Sequence, residues 1–189
     1  SDGSTTKISG DFLFMCGGYY SYDDPHRPEF PGESRYQGQV LHPQFWPEDL
    51  DYDGKKVIVI GSGATAMTIV PSMTQKGAQV TMVQRSPTYV VSRPAEDKIA
   101  NTLRKLLPEK WAYAITRLKN TTLSGYFYRQ TRSQPAKTKA QLLGMATANL
   151  GEEMVKAHFT PSYNPWDQRM CLIPDGDLYQ SINEGSAQV

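Results

Sequence analysis

The sequence predicts an α/β chain: a Rossmann-like parallel sheet with helices on both faces, carrying a helical insertion. Three observations predict it. Val57–Ile60 is a continuous apolar run rich in β-branched residues, the kind of strand expected to be buried on both faces of a parallel sheet. That run passes into two close glycines, Gly61 and Gly63, and then into the apolar pattern of a helix over Ala64–Lys76. A second strand pattern, Gln79–Val83, follows the stop at Gly77, which completes a β-α-β unit of about 30 residues.

Taken in order, Phe12–Met15 predicts a short strand, followed by a glycine turn and a proline-rich stretch through Pro31 and Gly32. The aromatic, proline-punctuated segment "YQGQVLHPQFWPEDLDYDGKK" reads as a connector ending at the Asp53-Gly54 turn. In the first helix, Pro71 cannot donate to the carbonyl of Met67, which predicts a kink. The helix survives by packing Ala66, Met67, Ile69 and Val70 on the sheet. From Pro94 to about His158 the strand-helix alternation gives way to helices. Ile99, Leu103, Leu106 and Leu107 mark one; Pro108 opens a second that carries Trp111, Ile115 and Leu118; Leu143, Ala146 and Leu150 mark a third. A loop, a short strand and a helix follow, and a further strand begins at "SAQV". The resulting division is an edge and linker over 1–50 and a nucleotide-binding domain over 51–189, with the insertion at about 95–158.

Charge is nearly balanced in the 189-residue chain, 20 basic against 19 acidic side chains, so no overall field attracts nucleic acid or an anionic membrane, and a charge-based partner requires a local patch. The basic residues Arg129, Arg132, Lys137 and Lys139 beside Tyr126–Tyr128 read as a solvated helix face rather than a nucleic-acid site. Cys16 and Cys171 form no CxxC pair, which fits buried thiols in a reduced, cytoplasmic protein. His26, His42 and His158 are too scattered for a metal site. No apolar run reaches the ~20 residues of a membrane span, and "SDGSTTK" lacks the apolar core of a secretion signal.

Gly61, Gly63 and Ala66 spell GxGxxA between strand and helix. The first glycine permits the tight turn, the second lets a pyrophosphate approach the backbone, and Ala66 allows close packing of helix on strand. Gly61, Ser62, Gly63, Ala64, Thr65 and Ala66 therefore form the candidate cofactor-binding turn, where helix N–H groups and the positive end of the helix dipole face the phosphates. An NAD site places a carboxylate about 20 residues on, at the end of the second strand. This chain has "QRSP" there, with Arg85 24 residues beyond Gly61. A guanidinium and a hydroxyl, Arg85 and Ser86, suit the 2′-phosphate of NADP(H).

Most of the chain, from Phe12 to Asp177, resembles the central part of flavin-containing monooxygenases of the Baeyer–Villiger type, and is similar to the actinobacterial enzymes that activate ethionamide. The resemblance lies in "CGGYYSYDDPHRPEFPG", "YQGQVLHPQFWP", "VIVIGSGATA", "VQRSPTYV" and "YNPWDQRMCLIPDGDL". The family signature falls on Tyr36, Gly38, His42, Trp46 and Pro47, with Tyr36 in place of the usual phenylalanine. It implies that the chain is an incomplete fragment of a flavoprotein with two dinucleotide-binding domains, and that its main partner is the FAD domain of the same parent chain. It also implies that NADPH reduces FAD, and that O2 then delivers one oxygen atom to a ketone or to sulfur or nitrogen of a small organic substrate. The resemblance assigns His42 and Trp46 to coupling nucleotide binding to the flavin, and Arg169 to stabilising negative charge at the oxygenating centre. Gln168 stands where relatives often carry a lysine that assists the 2′-phosphate, which leaves more of the NADP preference to Arg85. Most of the FAD site and its own GxGxxG lie outside these residues, so the fragment alone is expected to be inactive.

Other readings separate on stated features. A disulfide reductase needs a redox cysteine pair, which is absent. An N-hydroxylating flavin monooxygenase would lack the Tyr36–Pro47 signature. The reading from another class is a non-catalytic NADP-binding or partner-docking module, and a docking module would be indifferent to loss of Arg85.

Overall fold

The computed structural model of the chain describes residues 3–18 and 20–189; Ser1, Asp2 and Tyr19, the last within the quoted "CGGYYSYDD", lie outside them. Two compact units divide the chain, Ser1–Leu50 and Asp51–Val189.

The first unit is built from turns. Two short 3-10 segments, Glu33–Arg35 and Pro43–Phe45, punctuate an otherwise irregular course. The expected strand at Phe12–Met15 is not formed, and its four side chains are exposed. A strand gains its stability from a paired neighbour and a covered face, and no described residue pairs with this one. Side-chain bonds organise the unit instead. The Gln44 amide donates to the carbonyls of Ser21 at 3.0 Å and Tyr22 at 2.6 Å, and Arg27 pairs with Glu33.

The second unit opens in the predicted order. Strand β1 (Lys56–Ile60), helix α1 (Ala64–Thr74) and strand β2 (Gln79–Val83) form the β-α-β unit. The strands are parallel and in register from Lys56 opposite Gln79 to Ile60 opposite Val83. A short strand β5 (Ala187–Gln188) pairs in parallel with β2, giving the sheet order β1-β2-β5. Helix α1 runs continuously through the buried Pro71. Ala66, Met67 and Val70 enter the core and Ile69 packs at its margin, so apolar burial offsets the hydrogen bond that proline forfeits.

A second parallel sheet pairs β3 (Tyr89–Arg93) with β4 (Met170–Pro174). Parallel strands need a crossover, and the predicted insertion supplies it: α2 (Lys98–Leu106), α3 (Glu109–Ser133), α4 (Pro135–Leu150) and α5 (Glu152–His158). Helix α6 (Asp177–Asn183) follows β4. Helices α1 and α6 contact strands of both sheets, and α4 packs on β3. The core lies in this sandwich, with Val70, Val80, Met82, Ile173 and Leu178 almost fully enclosed. The expectation that β1 is buried on both faces is corrected. Val57 and Val59 pack inward, while Ile58 and Ile60 are exposed, because α1 and α6 cover one face of that sheet only. Among the described residues no helix is long and apolar enough to cross a membrane.

Candidate functional site

The turn between β1 and α1 is shaped by backbone demands. Gly61 has φ +129°, a region essentially reserved for glycine, and its N–H donates to the Val83 carbonyl at 2.8 Å. Gly63 is the N-cap of α1 and makes no side-chain cap bond, and the first turn of the helix carries no acidic residue. Ala64 and Thr65 are exposed. An α-helix leaves its first N–H groups without internal partners, so this end offers backbone donors and the positive end of the dipole to an anion.

The Ser62 side chain, almost fully buried, donates to the carbonyl of Ser86 at 3.3 Å. This bond ties the glycine turn to the turn after β2 that carries Arg85 and Ser86. On its far side the same turn is anchored by Gln84, whose amide donates to the His158 carbonyl at 2.7 Å. Arg85 and Ser86 themselves are exposed.

The structure also brings the Arg169 loop to the turn. A Cβ placed on Gly63 would meet the Arg169 guanidinium at 3.7 Å, so this positive group stands at the entrance to α1. Neither Arg85 nor Arg169 belongs to an ion pair of the described residues. The carboxylates nearest to Arg169 in sequence are engaged elsewhere: Asp167 holds Arg132 at 2.7 Å, and Asp175 accepts from the Ala95 N–H at 3.2 Å. Gln168 sits in the same exposed loop, joined to Pro165 by a single bridge.

Two hydroxyls that the sequence analysis passed over fix this loop. Thr88 donates to the Arg169 carbonyl at 3.2 Å, and Tyr163 donates to it at 3.3 Å. The two hydroxyls are themselves 3.0 Å apart. Behind them the Tyr89 hydroxyl donates to the Tyr163 carbonyl at 2.6 Å, and Lys139 donates to the Pro161 carbonyl at 2.7 Å. Burial, with Tyr163 and Asp167 nearby, pushes the Tyr89 phenol up to about 12. Burial likewise raises the Cys171 thiol, against a smaller opposing pull from Arg169. Tyr89 thus remains a neutral donor to the loop at physiological pH, beside the charged donor Lys139. The signal for Thr88 and Tyr163 was their place inside the two motifs flanking Arg85 and Arg169, but no spacing rule marks them as partners.

His42 belongs to the first unit, where it caps a 3-10 turn and its Nδ1 accepts from the Gln44 N–H at 3.3 Å. Also in that unit, the Tyr36 ring lies against Gly38, where any Cβ would collide with it. No cluster among the described residues could hold a metal ion.

Known proteins resemble this chain in sequence and in fold. The chain is 47% identical over its whole length to the FAD-containing monooxygenase EthA of Mycobacterium tuberculosis. It is 48% identical over 95% of its length to a probable FAD-binding monooxygenase, AlmA, of Acinetobacter baylyi. It spans 39% and 36% of those two proteins. Among solved structures, an oxidized steroid monooxygenase bound to NADP superposes with a TM-score of 0.61 at 20% identity, over 85% of this chain and 38% of that one. A cyclohexanone monooxygenase from Rhodococcus sp. Phi1 bound to NADP+ gives 0.57 at 15% identity, over 86% of this chain and 37% of that one. These likenesses show the fold. The profile described as flavin-binding monooxygenase-like (FMO-like) matches residues 1–149, and with the glycine turn, the arginine loop and the close relatives in view, the chain belongs to that family.

Proposed function

We propose that residues 51–189 are the NADP(H)-binding domain of an FAD-dependent monooxygenase, with the pyrophosphate over Gly61–Ala66 and the 2′-phosphate held by Arg85 and Ser86. The donor set fits a polyanion: unsatisfied helix amides, an acid-free first turn and two guanidinium groups outside any described ion pair. The observation that carries this reading is the Arg169 guanidinium lying against Gly63, which adds a second cation to a backbone cradle already suited to phosphate. Gln168 is a neutral neighbour of the same ligand and leaves the charge recognition to the arginines.

Within this reading residues 1–50 are the edge of the FAD domain and the linker to it, and His42 couples the two nucleotides. The parent chain's FAD domain is the partner, and the protein works in the cytoplasm. FAD and NADPH, when bound, supply the reducing power with which one atom of O2 reaches a ketone, or sulfur or nitrogen of a small organic substrate, in Baeyer–Villiger fashion. The residues of this chain bind and orient the nicotinamide nucleotide. The family resemblance gives Arg169 a second task, which would require its guanidinium to leave Gly63 and stand where negative charge develops on oxygen. The 189-residue chain by itself binds NADP(H) and completes no oxygenation.

Titration of the protein with NADPH and NADH, before and after Arg85→Ala, tests the assignment. Loss of a charge-assisted bond of ~1.5–3 kcal/mol narrows the NADPH preference by roughly one to two powers of ten. An equal weakening for both nucleotides, or none for either, overturns the role of Arg85. Stoichiometric flavin absorbance together with NADPH oxidation by this chain overturns its proposed inactivity.

A further inference from the structure

The turn that carries Arg85 and Ser86 is held from outside rather than by itself. Both residues lie in a bend, and neither makes a backbone–backbone hydrogen bond among the described residues. The Arg85 guanidinium also enters no described ion pair. A long side chain on a loose turn recognises little, because the cost of ordering it on binding offsets the bonds it makes. Two neighbouring side chains supply the order. The Ser62 hydroxyl donates to the Ser86 carbonyl at 3.3 Å, and the Gln84 amide donates to the His158 carbonyl at 2.7 Å.

Both anchors are rigid. Ser62 is almost fully buried in the glycine turn, which is itself fixed by the bond from the Gly61 N–H to the Val83 carbonyl. His158 is the last residue of α5, so its carbonyl is among those with no partner inside the helix, and the Gln84 amide satisfies it. The end of α5 is pinned in the core by Val155 and Phe159, 3% and 2% exposed, with the Phe159 ring edge-on to Tyr179. Burial alternates along β2, with Val80 and Met82 inward, and the half-buried Gln84 and exposed Arg85 continue the alternation. Successive side chains of an extended chain point to opposite faces, so holding Gln84 against α5 turns Arg85 outward. We propose that Gln84 and Ser62 are positioning residues for coenzyme choice, whose side chains hold the Arg85–Ser86 turn where a 2′-phosphate, and not a 2′-hydroxyl, gains from it. This role rests on the NADP(H) reading of the site. Through the one bond from Gln84, the last helix of the insertion reaches the nucleotide.

Titration of the 189-residue chain with NADPH against NADH, and with adenosine 2′,5′-bisphosphate against adenosine 5′-monophosphate, tests it. Gln84→Met keeps the side-chain length and loses the donor. It should weaken NADPH and the bisphosphate roughly three- to tenfold and leave NADH and the monophosphate unchanged. In an Arg85→Ala background the same substitution should add at most about twofold, because the main group it positions is gone. Equal weakening of all the ligands, an unchanged NADPH affinity, or a full effect in the Arg85→Ala background overturns the proposal. Should Gln84→Met fail to fold, Ser62→Ala decides by the same ratio. A wild-type chain with no preference for NADPH, or one whose preference survives Arg85→Ala, overturns the nucleotide reading and this inference with it. A preference that falls with Arg85→Ala but ignores both Gln84→Met and Ser62→Ala overturns this inference alone.

Discussion

The β1–α1–β2 unit and the α2–α3 hairpin have comparable lengths and opposite uses of their apolar residues. In the first, Ala66, Met67, Val70, Val80 and Met82 all close into the core, and the polar contribution is confined to a turn with a functional shape. In the second, the 25-residue α3 has only Ala112 and Thr131 buried, and one N-cap carboxylate with its lysine joins the two helices. The same amphipathic spacing thus reports burial in one region and outward display in the other. Periodicity says that a helix has an apolar side, and only tertiary structure says what that side faces.

The most forceful way to break the comparison is to make one substitution in the core against which the first region packs and the same one in the hairpin. Leu178→Ala, at a side chain fully enclosed between the sheets, is expected to cost ~2–5 kcal/mol in chemical denaturation. Leu118→Ala, at 68% exposure, should stay within ~0.5 kcal/mol; similar losses would mean that the hairpin face is packed after all. Next in size is Gly61→Ala, which puts a side chain at φ +129°. It should cost ~1–3 kcal/mol and weaken NADPH binding with it, whereas Gly144→Ala on α4 should leave binding unchanged.

A smaller effect is expected from Tyr163→Phe, which removes one of two hydroxyls from the Arg169 carbonyl. A net hydrogen bond of ~0.5–1.5 kcal/mol corresponds to a several-fold weaker NADPH affinity by titration, and no change would free Arg169 from this support. The mildest effect belongs to pH. Lys119, with the Ala100 N–H, holds the Asp97 carboxyl down at about 2 from an ordinary value of 3.8. The folded value is the depressed one, so its stabilisation is present above 3.8 and fades as pH falls toward 2. Helical content of the hairpin should loosen over that window in the wild type, and Asp97→Asn should flatten that part of the acid profile.

The nucleotide unit was legible because its signals are local. The strand Gln79–Val83 has its expected bounds, and the glycines, Arg85 and Ser86 each follow from what a phosphate demands of nearby backbone and charge. The strand Tyr89–Arg93 escaped notice because its partner begins at Met170, beyond four intervening helices, and prolines bracket it in sequence. Helix α5 is seven residues long, too short for a periodic pattern to stand out. Phe12–Met15 had strand propensity without a neighbour to pair with, and β1 had an apolar run without a second covering layer. Thr88 and Tyr163 escaped for a related cause. Their importance lies in one carbonyl, that of Arg169, which is 81 residues from Thr88 and is not marked by spacing as the partner of Tyr163.

The ion pair between Arg132 and Asp167, with the edge-on contact of Tyr128 and Trp166 beside it, gives α3 a grip on the loop that ends at Arg169. Asp167 is thereby kept from neutralising the arginine two positions later. The cation in front of the glycine turn is thus left available by a distant helix, and a chain that kept the GxGxxA motif but lost Arg132 would present the same letters with a less positive doorway.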